Sequence, residues 1–180
     1  RAVVDLAAIK KNVQQEIAHQ KGARDVFAVV KANGYGHGAV PIAKAALAGG
    51  AAGFCVATLD EGIALRENGL TEPILVLGIV EVDWLPLVLQ YHLAIPVATL
   101  SWIEAAKTFY LENQLTGEIA LHLTVDTGMG RIGFQSVDEV LRAVEQIDGF
   151  SGFLFEGIFT HFEAGDELDE TYFETINQSF

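Results

Sequence analysis

Lys31 stands at the end of a short apolar run, Val26–Val30, and opens the segment Lys31-Ala32-Asn33-Gly34-Tyr35-Gly36-His37-Gly38. A primary amine at such a strand end is the nucleophile that attacks a carbonyl carbon. Three glycines in five positions let the backbone approach a bound group closely, and Tyr35 and His37 add polar tips to the same loop. The spacing alone leaves another reading open, a lysine whose stem packs while its head reaches water. Arg131 lies just past a second apolar run, Ile119–Val125, in Asp126-Thr127-Gly128-Met129-Gly130-Arg131-Ile132-Gly133. Its planar fork of donors suits a carboxylate or a phenolate oxygen, although a surface arginine in a Gly-rich turn has the same spacing. His161 closes a third run, Gly157–Phe162, and reads either as a polar group of a site or as a satisfied core histidine.

These three segments are positioned by an alternation of strands and helices. Compact apolar runs at Val26–Val30, Phe54–Thr58, Ile74–Leu77, Ile95–Thr99, Ile119–Val125 and Gly157–Phe162 are apolar on both faces, as parallel strands covered on both sides require. A further short strand is expected at Ala2–Asp5. Helices are expected over Leu6–Gln20, ended by Lys21-Gly22, and over Ala39–Ala48, Asp60–Asn68, Val82–Gln90, Ser101–Glu112 and Ser136–Gln146. Ser101 with Glu104, and Ser136 with Glu139, have the spacing of capping boxes. Such alternation makes a parallel α/β domain. An open doubly wound sheet would carry a Gly-rich dinucleotide fingerprint after its first strand. A (β/α)8 TIM-type barrel needs eight strands, and six in this length extrapolate to eight in about 240 residues, close to the usual barrel size. The expectation is a truncated barrel with about six of its eight β/α units present. Lys31, Arg131 and His161 would then all lie at the catalytic, C-terminal ends of strands.

The string Val29-Val30-Lys31-Ala32-Asn33-Gly34-Tyr35-Gly36-His37-Gly38 closely resembles the pyridoxal-phosphate lysine motif of the alanine racemases, fold-type III pyridoxal-phosphate enzymes. Asp126-Thr127-Gly128-Met129-Gly130-Arg131-Ile132-Gly133 and Thr160-His161-Phe162 resemble two further motifs of that family. The resemblance runs over nearly the whole chain. It implies pyridoxal 5'-phosphate as cofactor and interconversion of L- and D-alanine, which supplies D-alanine for cell-wall peptidoglycan, by a cytoplasmic homodimer. It further implies that Lys31 bonds the cofactor aldehyde and serves as one catalytic base, and that Tyr35 bonds the phosphate. Leu77 would line the cofactor pocket. Arg131 would contact the phenolic oxygen and the substrate carboxylate, and His161 would lie beside the ring. His37 is assigned loop geometry rather than chemistry. The resemblance also implies that residues 1–180 are a partial cofactor-binding barrel domain. The rest of the barrel, a β-rich C-terminal domain and the second base, a tyrosine of the partner subunit, have no counterpart in this chain, so the isolated piece is expected to be nearly inactive. Alternatives sharing these motifs are a serine or broad-specificity racemase and a non-catalytic pyridoxal-phosphate carrier. One departure stands out. Many family members place a lysine, often carbamylated, where this chain has Thr124. A bound anion is expected to replace it beside Arg131, because a buried unpaired guanidinium is costly.

Composition narrows the classes further. Of 180 residues 51% are hydrophobic and 19% charged, which excludes a disordered tail. Acids outnumber bases 24 to 11, for a net charge of −13, so no clustered cation face for nucleic acid is expected. No Lys or Arg follows Arg142, and the acidic run beyond it reads as a solvated face rather than a metal site. The lone Cys55 excludes an intrachain disulfide and reads as packing. No apolar run approaches the ~18 residues of a membrane span. Arg1 in place of Met, and an end that reads as helix, lead to the expectation of a fragment.

Overall fold

The computed structural model describes residues 3–20 and 24–162. The expected Lys21-Gly22 stop, Ala2 and the acidic segment beyond Phe162 lie outside them. The chain forms two compact units, one of residues up to Val80 with Gln90–Ala94, the other of Glu81–Leu89 with the described residues from Ile95 onward.

In the first unit, helix α1 (Leu6–His19) begins where Asp5 Oδ1 accepts from the N–H groups of Ala7 and Ala8 at 2.9 and 3.2 Å. The strand expected at Ala2–Asp5 is therefore not formed over its described part. Asp5 has a better acceptor role as helix cap, satisfying two N–H groups that no helical carbonyl can reach. Strands β1 (Phe27–Val29), β2 (Gly53–Val56) and β3 (Ile74–Val76) form a parallel sheet in that order. Val29 pairs with Cys55, and Cys55 with Leu75. Helices α2 (Ala39–Gly49) and α3 (Leu59–Glu67) make the crossovers. Phe54, Val56, Ile74 and Val76 are all 1% exposed or less, and burying each such side chain contributes about 1.5–3 kcal/mol. The Arg66 guanidinium is structural: it donates to the carbonyls of Leu70, Glu72, Tyr91 and His92 at 2.7–2.9 Å, tying the entry to β3 to the turn at 91–92.

In the second unit, strands β4 (Ile95–Val97), β5 (Ile119–Val125) and β6 (Phe153–Thr160) form a second parallel sheet. Helices α4 (Leu85–Gln90, preceded by a 3₁₀ turn at Val82–Trp84), α5 (Leu100–Glu112) and α6 (Val137–Asp148) accompany them. Leu121 and Leu123 of β5, Ile103 of α5 and Ile147 of α6 are fully buried. The last strand starts four residues before the expected Gly157, because register shifts between Leu121 and His122: Leu121 faces Phe155, while His122 faces Gly157. Glu156 is the extra residue of that bulge, and it breaks the apolar pattern that would have marked the strand's first half.

The two expected capping boxes fare differently. Ser136 caps α6, accepting from Glu139 N at 3.3 Å, while the Glu139 carboxylate returns to the Ser136 hydroxyl and to Gln135 N. Ser101 does not cap α5. Thr99 does, accepting from Trp102 N at 3.2 Å, and Ser101 only pairs its hydroxyl with that of Thr99. Extended backbone at Thr99 (φ −147°) puts the cap two residues earlier. Thr99→Ala is thus expected to cost about 1 kcal/mol and Ser101→Ala much less, a difference read from paired urea denaturation curves.

Candidate active site

The first unit places Lys31 and Tyr35 on one unusual turn. Val30, 1% exposed, makes the last ladder bond of β1, its N–H donating to Cys55 O at 2.9 Å. The chain then turns left-handed. Ala32, Asn33, Gly34 and Tyr35 have φ of 50°, 53°, 62° and 54°, and Gly36 follows at 82°. Gly34 N donates to Val30 O (2.9 Å), Gly36 N to Ala32 O (3.0 Å) and Gly38 N to Asn33 O (2.8 Å). An L-residue in this region costs about 1–2 kcal/mol, so Ala32, Asn33 and Tyr35 together store several kcal/mol. Such strain persists only where surrounding bonds over-determine it, and here they do. Asn33 Oδ1 accepts from Ala39 N at 3.0 Å, capping α2 across the turn. His37 Nδ1 donates to Gly34 O at 2.9 Å, the loop-shaping part expected of it. Glu61, from the first turn of α3, accepts from Ala32 N at 2.6 Å and from Ala57 N at 2.7 Å. Gly34 is buried, and a Cβ there would lie 3.3 Å from Ala39 backbone and Ile42.

The outcome is a half-buried Lys31 and, four residues on, a Tyr35 that is 59% exposed. Space beside Gly36 is open, with nothing within 4 Å of where a Cβ would be. An amine for an aldehyde and a phenol for a phosphate on one rigid turn, with room beside it, fit pyridoxal phosphate. Leu77 is half-buried just past β3, its N–H bonded to Val56 O. Cys55 agrees with its packing role, since burial pushes its thiol up to about 11.

In the second unit, Arg131 rides on the loop from Asp126 to Phe134. Asp126 N donates to Phe134 O (2.9 Å) and Phe134 N to Thr124 O (2.8 Å), closing the loop onto the end of β5. Inside it, Asp126 Oδ1 accepts from Gly128 N and Gly130 N, both at 3.0 Å. These N–H groups, Gly130 foremost, hold the Asp126 carboxyl below its ordinary value of 3.8. A carboxyl depressed on folding stabilises the fold above that ordinary value, and its contribution is lost as pH falls through the lowered one. Asp126→Asn keeps a neutral acceptor but not the charge, so it is expected to lower stability at neutral pH and to flatten this unit's acid-unfolding limb below about pH 4, with little change at the acid end. Denaturation midpoints across an acid series check this.

Arg131 is exposed, which corrects the burial argument for an anion partner: a solvated guanidinium carries no such cost. Thr124, where that partner was expected to be needed, is 2% exposed, and its hydroxyl has no hydrogen-bond partner among the described residues. Thr127 Oγ1 and Thr160 Oγ1 are 2.8 Å apart, joining the arginine loop to the end of β6. His161 follows directly and is exposed. Two residues missed from sequence share this strand pair: His122 Nε2 lies 2.8 Å from the carboxylate of Glu156. The His122–Gly157 pairing that sets them together depends on the bulge, which no sequence spacing announced. A half-open cavity of about 440 Å³ in this unit is lined by Val125, Val137, Val140 and Ile158 with Asp126 and Ser136. It includes none of the expected site residues.

Parallel strands alternating with helices, with Lys31 and Arg131 just past strand ends, are the pattern of a β/α barrel. The chain belongs to the alanine racemase N-terminal domain family, whose model matches residues 4–180. Its fold is that family's barrel, truncated relative to the full ring. It is 49% identical over 174 residues to the alanine racemase of Lactiplantibacillus plantarum, covering 96% of this chain and 46% of that one. The crystal structure of alanine racemase from E. faecalis superposes with a TM-score of 0.90 at 51% identity, over 97% of this chain and 47% of the other. Alanine racemase from Bacillus anthracis with bound L-Ala-P gives 0.91 at 36% identity, over 98% and 45%. The chain thus spans about half the length of the curated relatives it matches.

Proposed function

We propose that this chain is the cofactor-binding half of a pyridoxal-phosphate-dependent alanine racemase, and that residues 1–180 are a partial barrel domain. The observation that carries the reading is Lys31 at a strand end, fixed on a left-handed turn that also presents Tyr35. When bound, pyridoxal phosphate supplies an aldehyde for an amine and a ring that withdraws electrons from the substrate Cα. Lys31 Nζ anchors the cofactor and then takes or returns the Cα proton on one face. Tyr35 Oη donates to the phosphate, and Leu77 packs against the cofactor from the end of β3. From the second unit, on the resemblance alone, Arg131 holds the phenolic oxygen and the alanine carboxylate, and His161 bonds polar groups beside the ring.

Racemisation needs a proton donor on the opposite face as well, and no motif of this chain supplies it. The reading therefore includes a homodimer in which the partner subunit contributes that base, and little turnover by the 180-residue piece alone. Supply of D-alanine for peptidoglycan in the cytoplasm follows from the same reading. Among the described residues no helix is long and apolar enough to cross a membrane. The test is chiral chromatography of L-alanine incubated with the full-length protein and pyridoxal phosphate, beside L-serine. Prompt D-alanine with little D-serine is expected. Absence of D-alanine, with no pyridoxyl label on Lys31 after borohydride reduction, would overturn the proposal.

A further inference from the structure

We infer that Glu61 is a positioning residue for Lys31, an inference that rests on the reading of Lys31 given above. In a parallel ladder a residue facing the partner strand donates to one neighbour's carbonyl and accepts from the N–H two residues on. Val30 does the first, its N–H bonding Cys55 O. Its own carbonyl would next accept from Ala57 N, but it accepts from Gly34 N instead and so closes the left-handed turn. Glu61 resolves this conflict. Its Oε2 takes Ala57 N at 2.7 Å, and its Oε1 takes Ala32 N at 2.6 Å, the amide of the peptide bond that leaves Lys31. One carboxylate thereby joins the ends of β1 and β2 where their ladder stops. It satisfies an N–H in the turn's first residues, for which a helical turn has no carbonyl, and fixes the peptide plane next to the amine-bearing residue. Both bonds are short and charge-assisted. Glu61 itself is held in the first turn of α3, whose cap is Thr58.

Glutamine cannot replace it. A carboxamide has one acceptor oxygen and an NH2, so in either orientation one backbone N–H faces another donor. In the full-length protein loaded with pyridoxal phosphate, Glu61→Gln is expected to retain one borohydride-trapped pyridoxyl group on Lys31. Its kcat is expected to fall about 10²-fold, the usual consequence of a misplacement near 1 Å, with KM changed less than threefold. The cofactor's induced circular dichroism should weaken at unchanged cofactor content. Thr99→Ala serves as the control: it loosens the start of α5, in the other unit, without touching Glu61 or the residues it bonds, and should keep kcat and dichroism at a lowered Tm.

If Glu61→Gln keeps kcat and dichroism, or if Thr99→Ala loses both as severely at a similar Tm, the positioning role is overturned while the Lys31 reading stands. If the unsubstituted protein gives no label on Lys31, that reading falls and takes the inference with it. Should Glu61→Gln fail to fold, hydrogen exchange in the unsubstituted protein decides. Slow exchange of the Ala32 and Ala57 amides, at least tenfold below exposed turn amides, supports the bridge, and exchange at the exposed rate overturns it.

Discussion

Lys31→Arg in the full-length protein is expected to lower D-alanine formation by at least about 10⁴-fold, the upper end of what one proton-transfer group contributes. The substitution keeps a cation at the strand end, so electrostatics and solubility change little. It removes the only property the proposed role requires, an amine that can lose its proton and bond a carbonyl carbon, because a guanidinium stays protonated in proteins. Stability should barely respond. Lys31 is half-buried, with its backbone held by the turn rather than by its own head group. The expected pattern is therefore a Tm within a few degrees of the parent, no pyridoxyl label after borohydride reduction, and no measurable racemisation. Chiral chromatography and peptide mapping read the last two. Residual turnover near the parent level would show that the amine is not the base.

Much of what positions this lysine was legible in advance. Runs that are apolar on both faces can be buried only between two layers; Ile74–Leu77 shortens to the parallel strand β3, and Phe54–Thr58 becomes β2 starting one residue earlier and ending two earlier. Ile119–Val125 matches β5 residue for residue. Glycine at 34, 36 and 38 marked a close-packed turn, and all three have positive φ. What local sequence could not show is that Ala32, Asn33 and Tyr35 adopt it too. The strain at Ala32 and Asn33 is offset by the bond Ala32 N donates to Glu61 and the one Asn33 Oδ1 accepts from Ala39 N, 29 and six residues away in the chain, and no local preference encodes a tertiary carboxylate. The same limit hid Glu156, a bulge defined only by its register against β5, and moved the cap of α5 from Ser101 to Thr99. Arg131 was legible as a residue type in a loop, with a surface position left open by its spacing, and the anion expected beside it rested on a burial that this loop does not provide.

That loop gives the second large effect. Gly133 has φ 129°, a conformation open in practice to glycine alone, and a Cβ there would lie 2.6 Å from Asp126 N, 2.7 Å from Val125 C and 2.8 Å from Thr124 O. All three are backbone atoms of the strand end, so no side-chain rotation relieves the clash. Gly133→Ala must move the chain away from β5 and break the reciprocal pair Asp126 N to Phe134 O and Phe134 N to Thr124 O. Strain of about 1–3 kcal/mol and two hydrogen bonds of about 1 kcal/mol each add to roughly 3–5 kcal/mol. At about 2–4 °C per kcal/mol, Tm should fall by about 10 °C. Gly130 provides the contrast within the same loop. Its φ of 67° is ordinary left-handed backbone and nothing lies within 4 Å of a Cβ, so Gly130→Ala should cost only about 1–2 kcal/mol. Calorimetry of the two variants separates a loop held rigidly against β5 from one that merely tolerates glycine. If Arg131 grips the substrate carboxylate, KM for alanine should rise at least tenfold in Gly133→Ala and much less in Gly130→Ala, because only the first substitution detaches the loop from the strand that aims it.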